Sequence, residues 1–371
     1  MGLFIHQIAS VSPVGLSSPG SALSSRHHFL IQENGNWLAR IPADLEVEFQ
    51  SFLKREKSLR HFDRLVQLAC FAGRQLDLSS VNPQKTAVFF GSSRGPTNNW
   101  ENHFKHFLAH ESCLSQASPS TTLGSSASVL SHFLGIEGPA SDHSTTCSSF
   151  GTGLLHAKAW LDAGMIEQAL VVGSESPLTE FTMAQMKSMG ISAENQDNYP
   201  CEPFSGKSNG GMVLGEAGVV CLLSNNPENA LAKISGLGWA SEKIPSKTGL
   251  SGESLKQAMR MALEDAKQDQ VDLIIPHAPG TVKGDIAEKQ AMEEVFGAAL
   301  PEYGNLKWKY GHSLGASMGQ SIELGLAKMN LDFSFHSPHS PLTMPCKNVL
   351  INAVGFGGNA ISMLMTEVRG K

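Results

Sequence analysis

Six short runs along the chain are apolar at nearly every position: Thr86–Gly91, Gln168–Gly173, Gly218–Leu223, Val271–Pro276, Asn348–Val354 and Ala360–Met365. Runs of this length without polar alternation predict strands covered on both faces. Stretches rich in helix formers lie between them. Gly153–Ala163 is one, closing near Gly164 as a natural C-cap; Leu255–Lys267, Asp285–Phe296 and Gly315–Met329 have the same character. Strands alternating with helices predict an α/β layered fold with mainly parallel sheets. The segment Gly35–Arg60 is harder to read and takes no assignment. The later part of Lys328–Pro345, with Pro338, Pro341 and Pro345, reads as a loop.

Composition narrows the class. The chain has 371 residues, 41% hydrophobic and 17% charged, which is ordinary for a globular protein with a substantial core. Its formal net charge of -6 argues against nucleic acid as the partner. No run of about 18 apolar residues predicts a membrane span. The start, MGLFIHQIASVSPVG, has neither a basic segment nor a sustained apolar one, so it makes a poor signal peptide, and His6 breaks the myristoylation pattern. Cys70, Cys113, Cys147, Cys201, Cys221 and Cys346 are scattered without a CxxC pair, which predicts reduced thiols and a cytoplasmic enzyme.

Candidate chemistry gathers at the ends of predicted elements. Cys147 sits among small polar residues in DHSTTCSSFGTG, just before a helix. The positive end of a helix dipole favours a thiolate, and the small neighbours Ser148, Ser149, Gly151 and Gly153 are expected to admit a bulky acyl group. For the other five cysteines a buried structural role is the expectation. His277 follows the apolar run VDLIIP in a Gly/Pro turn, and His312 lies in LKWKYGHSLGASMG, again before a helix. A Gly-rich turn, Asn352–Asn359, follows another strand and can present backbone N–H groups to a ligand. His103, His106 and His110 share one helix face, more often a polar surface than a metal site, and His143 is read as loop-supporting. Motifs for nucleotide phosphates, GxGxxG before a helix and GxxxxGK[ST], are absent.

Taken together these blocks resemble the β-ketoacyl synthases, the condensing enzymes of the thiolase superfamily. Thr145–Thr146–Cys147–Ser148–Ser149 stands in the family's cysteine motif. His277, Ala278, Pro279, Gly280 and Thr281, followed by Gly284, Asp285 and Glu288, stand in its first histidine motif. Lys307, Gly311, His312, Gly315 and Ala316 form the second, and Gly355–Phe356–Gly357–Gly358 the GFGG turn. Pro203 with Phe204, then Gly215 with Glu216, complete the set. The match runs from about residue 85 to the C-terminus.

The resemblance implies a five-layered αβαβα fold of two pseudo-repeated halves: residues 1–225 carrying the nucleophilic cysteine, and 226–371 carrying both histidines. It implies decarboxylative Claisen condensation of an acyl-Cys147 enzyme with malonyl-acyl carrier protein. His277 and His312 would stabilise the enolate, with Lys307 beside them; the N–H groups of Cys147 and Phe356 would hold the oxyanion, with Phe356 also a gate. Thr281, Gly355 and Gly357 are the implied substrate contacts. No metal and no cofactor are implied, only substrates on the phosphopantetheine of an acyl carrier protein. A homodimer, or a heterodimer with a related subunit, is implied too.

Four departures from the family pattern stand out. Pro279 replaces a threonine, Ser321 stands where a glutamate is usual with Glu323 two positions on, and Gly355–Asn359 followed by Ala360 lacks a threonine. Ser208, Asn209 and Gly211 stand where Arg-Asp and a phenylalanine are usual. The departures suit specialised polyene or polyketide assembly rather than housekeeping fatty-acid synthesis. One alternative is a non-catalytic, chain-length-factor-like partner subunit, although such subunits usually lack the cysteine. The other is a thiolase or initiating synthase, against which His312 speaks.

Overall fold

The structure, a computed structural model, describes residues 2–17, 27–194, 198–207, 210–243, 251–330, 335–336, 341–342 and 346–368. Ten strands build its main sheet: β1 Leu3–Ser12, β2 Thr86–Gly91, β3 Ala140–His143, β4 Gln168–Glu175, β5 Ala217–Ser224, β6 Ala232–Ala240, β7 Leu273–Ile275, β8 Glu302–Tyr303, β9 Asn348–Val354 and β10 Ala360–Thr366. Gly15–Leu16 pairs with β1 as an eleventh, short strand. The helices that concern the site are α1 Ala43–Arg55, α2 Arg64–Gly73, α3 Thr97–His110, α4 Ser149–Asp162, α5 Glu180–Ser188, α6 Glu253–Ala266, α7 Val282–Phe296 and α8 Ser317–Asn330.

Strand order shows an internal repeat. The first five strands lie in the order β3-β2-β4-β5-β1, and the next five in the order β8-β7-β9-β10-β6. The two halves meet through three antiparallel pairs, from Leu3↔Ile234 to Ile5↔Ala232. The expectation of mainly parallel sheets needs correction. β2 runs parallel to β3 and β4, and β7 to β8 and β9, but β4/β5, β5/β1, β6/β10 and β9/β10 are antiparallel. The physical reason is plain at β9/β10, where a five-residue turn joins the strands, too short for a parallel crossover.

Layering explains why the strands read as continuous apolar runs. Inward-facing Phe89, Val171, Val219, Ile275, Ile351 and Met363 pack with Phe150 and Leu154 of α4 and Met318 and Ile322 of α8. On the opposite faces, Phe90, Val172 and Val220 pack under α1 and α2, while Ile274, Leu350 and Leu364 pack under α6. Thus α4 and α8 are shared between the half-sheets, and outer helices close the stack on both sides. With both faces covered, the period-two alternation carries no polar marker. Gly151 and Gly153 serve this packing, which corrects their reading as room for an acyl group. A Cβ on Gly151 would lie 2.8 Å from Ile361 and from the Met318 sulfur, and one on Gly153 would lie 2.9 Å from Val171.

Several boundaries change. Gly35–Arg60 holds a short strand, Asn36–Ala39, followed by α1. Within the expected loop, Phe335–His336 and Pro341–Leu342 pair as a two-residue antiparallel ladder, while Pro338 and Pro345 lie outside the described residues, as do Ser208 and Asn209. Among the described residues no helix is long and apolar enough to cross a membrane. All six cysteines are free.

Candidate active site

Hydroxyls of its own motif stitch the turn before α4. Ser149 Oγ donates to Thr146 O at 2.6 Å, Ser148 Oγ donates to Thr145 O at 2.8 Å, and Thr145 Oγ1 meets Thr152 Oγ1 at 2.7 Å. Thr146 is thereby held at φ 55°, a conformation costly for a β-branched residue, and Cys147 follows it directly. His143 Nε2 donates to Ser149 O at 2.8 Å, so it braces this helix start as expected of a supporting residue.

The second histidine arrives from the far end of the chain. His312 N donates to Val213 O at 2.7 Å and His312 O accepts from Gly215 N at 3.0 Å, which fixes the turn ahead of α8. His312 Nε2 then lies 3.3 Å from Cys147 Sγ. The His277 ring meets the His312 ring edge-on, with centroids 5.0 Å apart. One donor atom from each of Cys147, His277 and His312 lies within 4.8 Å of the others, and all three residues are buried.

Acidic residues of the motifs act on backbone. Glu288 accepts from His277 N at 2.8 Å, Ala278 N at 2.6 Å and Asn352 Nδ2 at 3.2 Å. Asp285 accepts from Gly280 N at 3.2 Å and Phe204 N at 2.8 Å. Asn305 Nδ2 donates to Pro276 O at 3.2 Å and Ala278 O at 2.9 Å. The strand-end turn carrying His277 is therefore pinned from both sides. Glu216 takes Ile41 N at 3.1 Å and the Arg64 guanidinium at 2.8 and 2.9 Å, so its motif is structural.

Electrostatics correct one expectation. Burial pushes the Cys147 thiol up to about 12, with the Glu175 carboxylate adding to the rise and Lys307 opposing it. The helix start therefore does not leave a free thiolate at rest, because desolvation of the sulfur wins. Burial holds both His277 and His312 well below 6.5, so both are neutral imidazoles at pH 7. Burial lowers Lys307 to about 8, against the pull of Glu288, Cys201, Asp285 and Cys147.

A cavity of about 520 Å³ opens onto these groups. Cys147, His277, His312, Thr281, Gly355 and Phe356 all line it. Lys307 lies behind the wall, fully buried, and Gly357 is exposed at the tip of the turn outside the wall, contrary to its reading as a substrate contact. The apolar ring of Pro279 stands on the wall. Ser321 hydrogen-bonds to Ser317 O at 3.2 Å and Glu323 accepts from Ser10 Oγ at 2.8 Å, so neither supplies the missing glutamate's carboxylate to His312. On α3, His106 and His110 stack at 4.3 Å while His103 Nε2 turns to Ser120 Oγ at 3.2 Å, so the three do not converge.

The sequence reading assigned no role to Glu175, Glu288 or the apolar group packed on the sulfur, Met186, Met212, Leu214 and Leu314. A signal existed for two of them. Glu175 is a lone acid ending an apolar strand, and Met183, Met186 and Met189 recur at three-residue spacing through α5 and its C-cap.

Residues 35–228 match the family described as beta-ketoacyl synthase, N-terminal domain, and residues 231–329 match its C-terminal domain. The chain belongs to the β-ketoacyl synthase family. It is thus a condensing, acyltransferase-type enzyme by descent. A polyketide beta-ketoacyl synthase 1 of Streptomyces cyaneus is 28% identical over 383 residues, covering 90% of this chain and 89% of the relative. Among solved structures, a β-ketoacyl synthase from Burkholderia phymatum superposes with TM-score 0.84 at 22% identity, covering 99% of this chain and 100% of that one. The AntDE:AntF complex, a type II polyketide acyl-carrier protein with its ketosynthase, gives TM-score 0.86 at 17% identity, covering 99% of both chains. These neighbours share the thiolase-like α/β fold.

Proposed function

We propose that this β-ketoacyl synthase performs decarboxylative Claisen condensation on carrier-bound substrates, as a 3-oxoacyl-[acyl carrier protein] synthase. The observation that carries the reading is the Cys147 sulfur 3.3 Å from a neutral His312, beside a neutral His277, on the wall of one cavity. The Cys147 thiol passes its proton to the neighbouring imidazole as sulfur attacks a thioester carbonyl, and the carrier thiol leaves with a proton. Malonyl thioester then enters and loses CO₂. His277 donates an N–H to the enolate oxygen, and so does His312 once its ring proton sits on Nε2, the nitrogen that faces the sulfur; a charged pair would protonate the enolate too readily. The enolate carbon attacks the acyl-Cys147 carbonyl, and the oxyanion rests on the N–H groups of Cys147 and Phe356. Collapse expels the Cys147 thiolate, which reprotonates. Lys307 keeps positive charge behind the site, Phe356 gates the sulfur, and Thr281 and Gly355 contact the phosphopantetheine arm, the only prosthetic group the scheme uses.

The acyl carrier protein is the substrate-bearing partner, and polyketide or polyene assembly in the cytoplasm is the setting. The Streptomyces cyaneus relative and the AntDE:AntF neighbour support it. A second condensing-enzyme subunit fits the exposed Trp100, Phe104, Phe107 and Leu108 of α3. Mass spectrometry after incubation with acyl and malonyl carriers tests the reading. Acyl mass on wild type but not on Cys147→Ala is expected, with CO₂ release lost in His277→Ala and His312→Ala. A wild-type protein that neither acylates nor releases CO₂ overturns it in favour of the non-catalytic partner subunit.

A further inference from the structure

Behind the sulfur stands a carboxylate that the proposed chemistry does not use. Glu175 ends β4 and is fully buried. Its Oε1 accepts from Gly315 N at 3.2 Å and, more closely, from Ser93 N; its Oε2 is buried without a hydrogen-bond partner. Ser93 belongs to the segment leaving β2, and Gly315 to the turn three residues past His312. The carboxylate therefore ties the first half of the molecule to the turn that delivers the second half's histidine.

Room for this tie is made by the sequence. A Cβ at Gly315 would lie 2.8 Å from Glu175 Oε1 and 2.9 Å from Ser93 N. The residue before it, Leu314, is held at φ 44°, lines the cavity and packs against Cys147. A leucine in that conformation needs its surroundings to impose it. The neighbouring Arg94 guanidinium turns away, toward Thr182 Oγ1 at 3.2 Å and toward Gln185. No cation thus offsets the carboxylate in these contacts.

We infer that Glu175 is a positioning residue of the active site: it clamps the turn after His312 to the segment after β2 and so sets His312 against the Cys147 sulfur. The inference rests on the condensing-enzyme reading for its consequence in turnover, but not for its consequence at the thiol. Burial of Glu175 is costly, and its proton comes off only near pH 7 despite the N–H groups of Ser93 and Gly315. A strand end offers cheaper residues, such as the serines on either side of it, so a buried acid here has a purpose other than stability. Its charge raises the Cys147 thiol while Lys307 opposes it, and His277 and His312 lie beside the sulfur.

Two variants of the full-length protein separate positioning from charge. Glu175→Gln keeps an oxygen acceptor for the Ser93 and Gly315 N–H groups and removes the charge; Glu175→Ala removes both. The readouts are the pH profile of Cys147 alkylation by iodoacetamide, located by peptide mass, and kcat and KM for condensation. Glu175→Ala is expected to lose tenfold or more in kcat with KM changed less than about twofold, and Glu175→Gln to recover kcat to within about threefold. In Glu175→Gln the alkylation midpoint is expected to fall, because a negative charge beside the thiolate is gone. Equal kcat in the two variants overturns the inference. Should Glu175→Ala fail to fold, Gly315→Ala replaces it, since its added Cβ would press on Glu175 Oε1 and Ser93 N, and an unchanged kcat there overturns the inference. Alkylation behaving as expected in a protein that never condenses keeps the inference and sinks the activity reading instead.

Discussion

Adding one methyl group at Gly355 tests how the Phe356 turn and the cysteine turn fit together. Gly355 is not at positive φ, so its backbone tolerates alanine and the penalty is steric. The added Cβ would lie 1.8 Å from Thr146 Oγ1 and 2.5 Å from Thr145 O. Thr146 and Thr145 precede Cys147, and Thr146 is held in its strained conformation by the motif hydroxyls. Ordinary contact would need the turns to part by roughly 1.5 Å. Overpacking of this kind costs about 1–3 kcal/mol, and a displacement near 1 Å at reacting groups costs on the order of 10²-fold in rate. Gly355→Ala is expected to melt several degrees lower, and both alkylation of Cys147 and malonyl decarboxylation should slow. Adding Thr146→Ala removes the worst contact but leaves the Thr145 carbonyl, so it should restore part of the stability, a favourable coupling of about 1 kcal/mol. A Gly355→Ala protein with wild-type melting and wild-type alkylation would show that the two turns do not touch, and the account of the site would fail.

Lys307 deprotonates near pH 8 because burial disfavours its charge, so a step that needs the cation should fall as pH rises through about 8. In Lys307→Arg, which stays charged, that falling limb should vanish from the pH–rate profile; an unchanged limb refutes the assignment. Glu288→Ala leaves the buried His277 and Ala278 N–H groups without an acceptor and should cost about 3 kcal/mol in denaturant unfolding, with condensation down tenfold or more; activity surviving intact would mean that His277 needs no such anchor. Arg64→Ala strands the fully buried Glu216 and should destabilise by about 3–5 kcal/mol, and a loss below 1 kcal/mol would mean that water reaches the carboxylate.

Much of the active site was legible in one dimension because its chemistry is local. A thiol needs small hydroxylated neighbours to make its turn, and Thr145–Ser149 supplies them within five residues. Turn glycines and the strand runs behaved likewise: Thr86–Gly91 and Asn348–Val354 form strands with the bounds the apolar pattern gave. Gly35–Arg60 stayed unassigned although Leu45, Phe49, Phe52 and Leu53, the residues that α1 buries, recur at helical spacing, because the exposed Val47 between two glutamates mimics the alternation of a strand. Strand direction was also hidden, because an apolar run covered on both faces looks the same in parallel and antiparallel pairing.

Local sequence marks out the residues of the candidate site and the turns of the chain, since both depend on neighbours a few positions away. Only tertiary structure decided that the strand order repeats in two halves, that α4 and α8 are shared between them, and that residues 147, 277 and 312 converge within 4.8 Å. It also decided the resting state of the sulfur. A helix start alone favours a thiolate, but desolvation scales with everything packed around the atom, and that packing, with Glu175 behind it, raises the thiol to about 12. Local sequence holds no record of how much water a fold excludes.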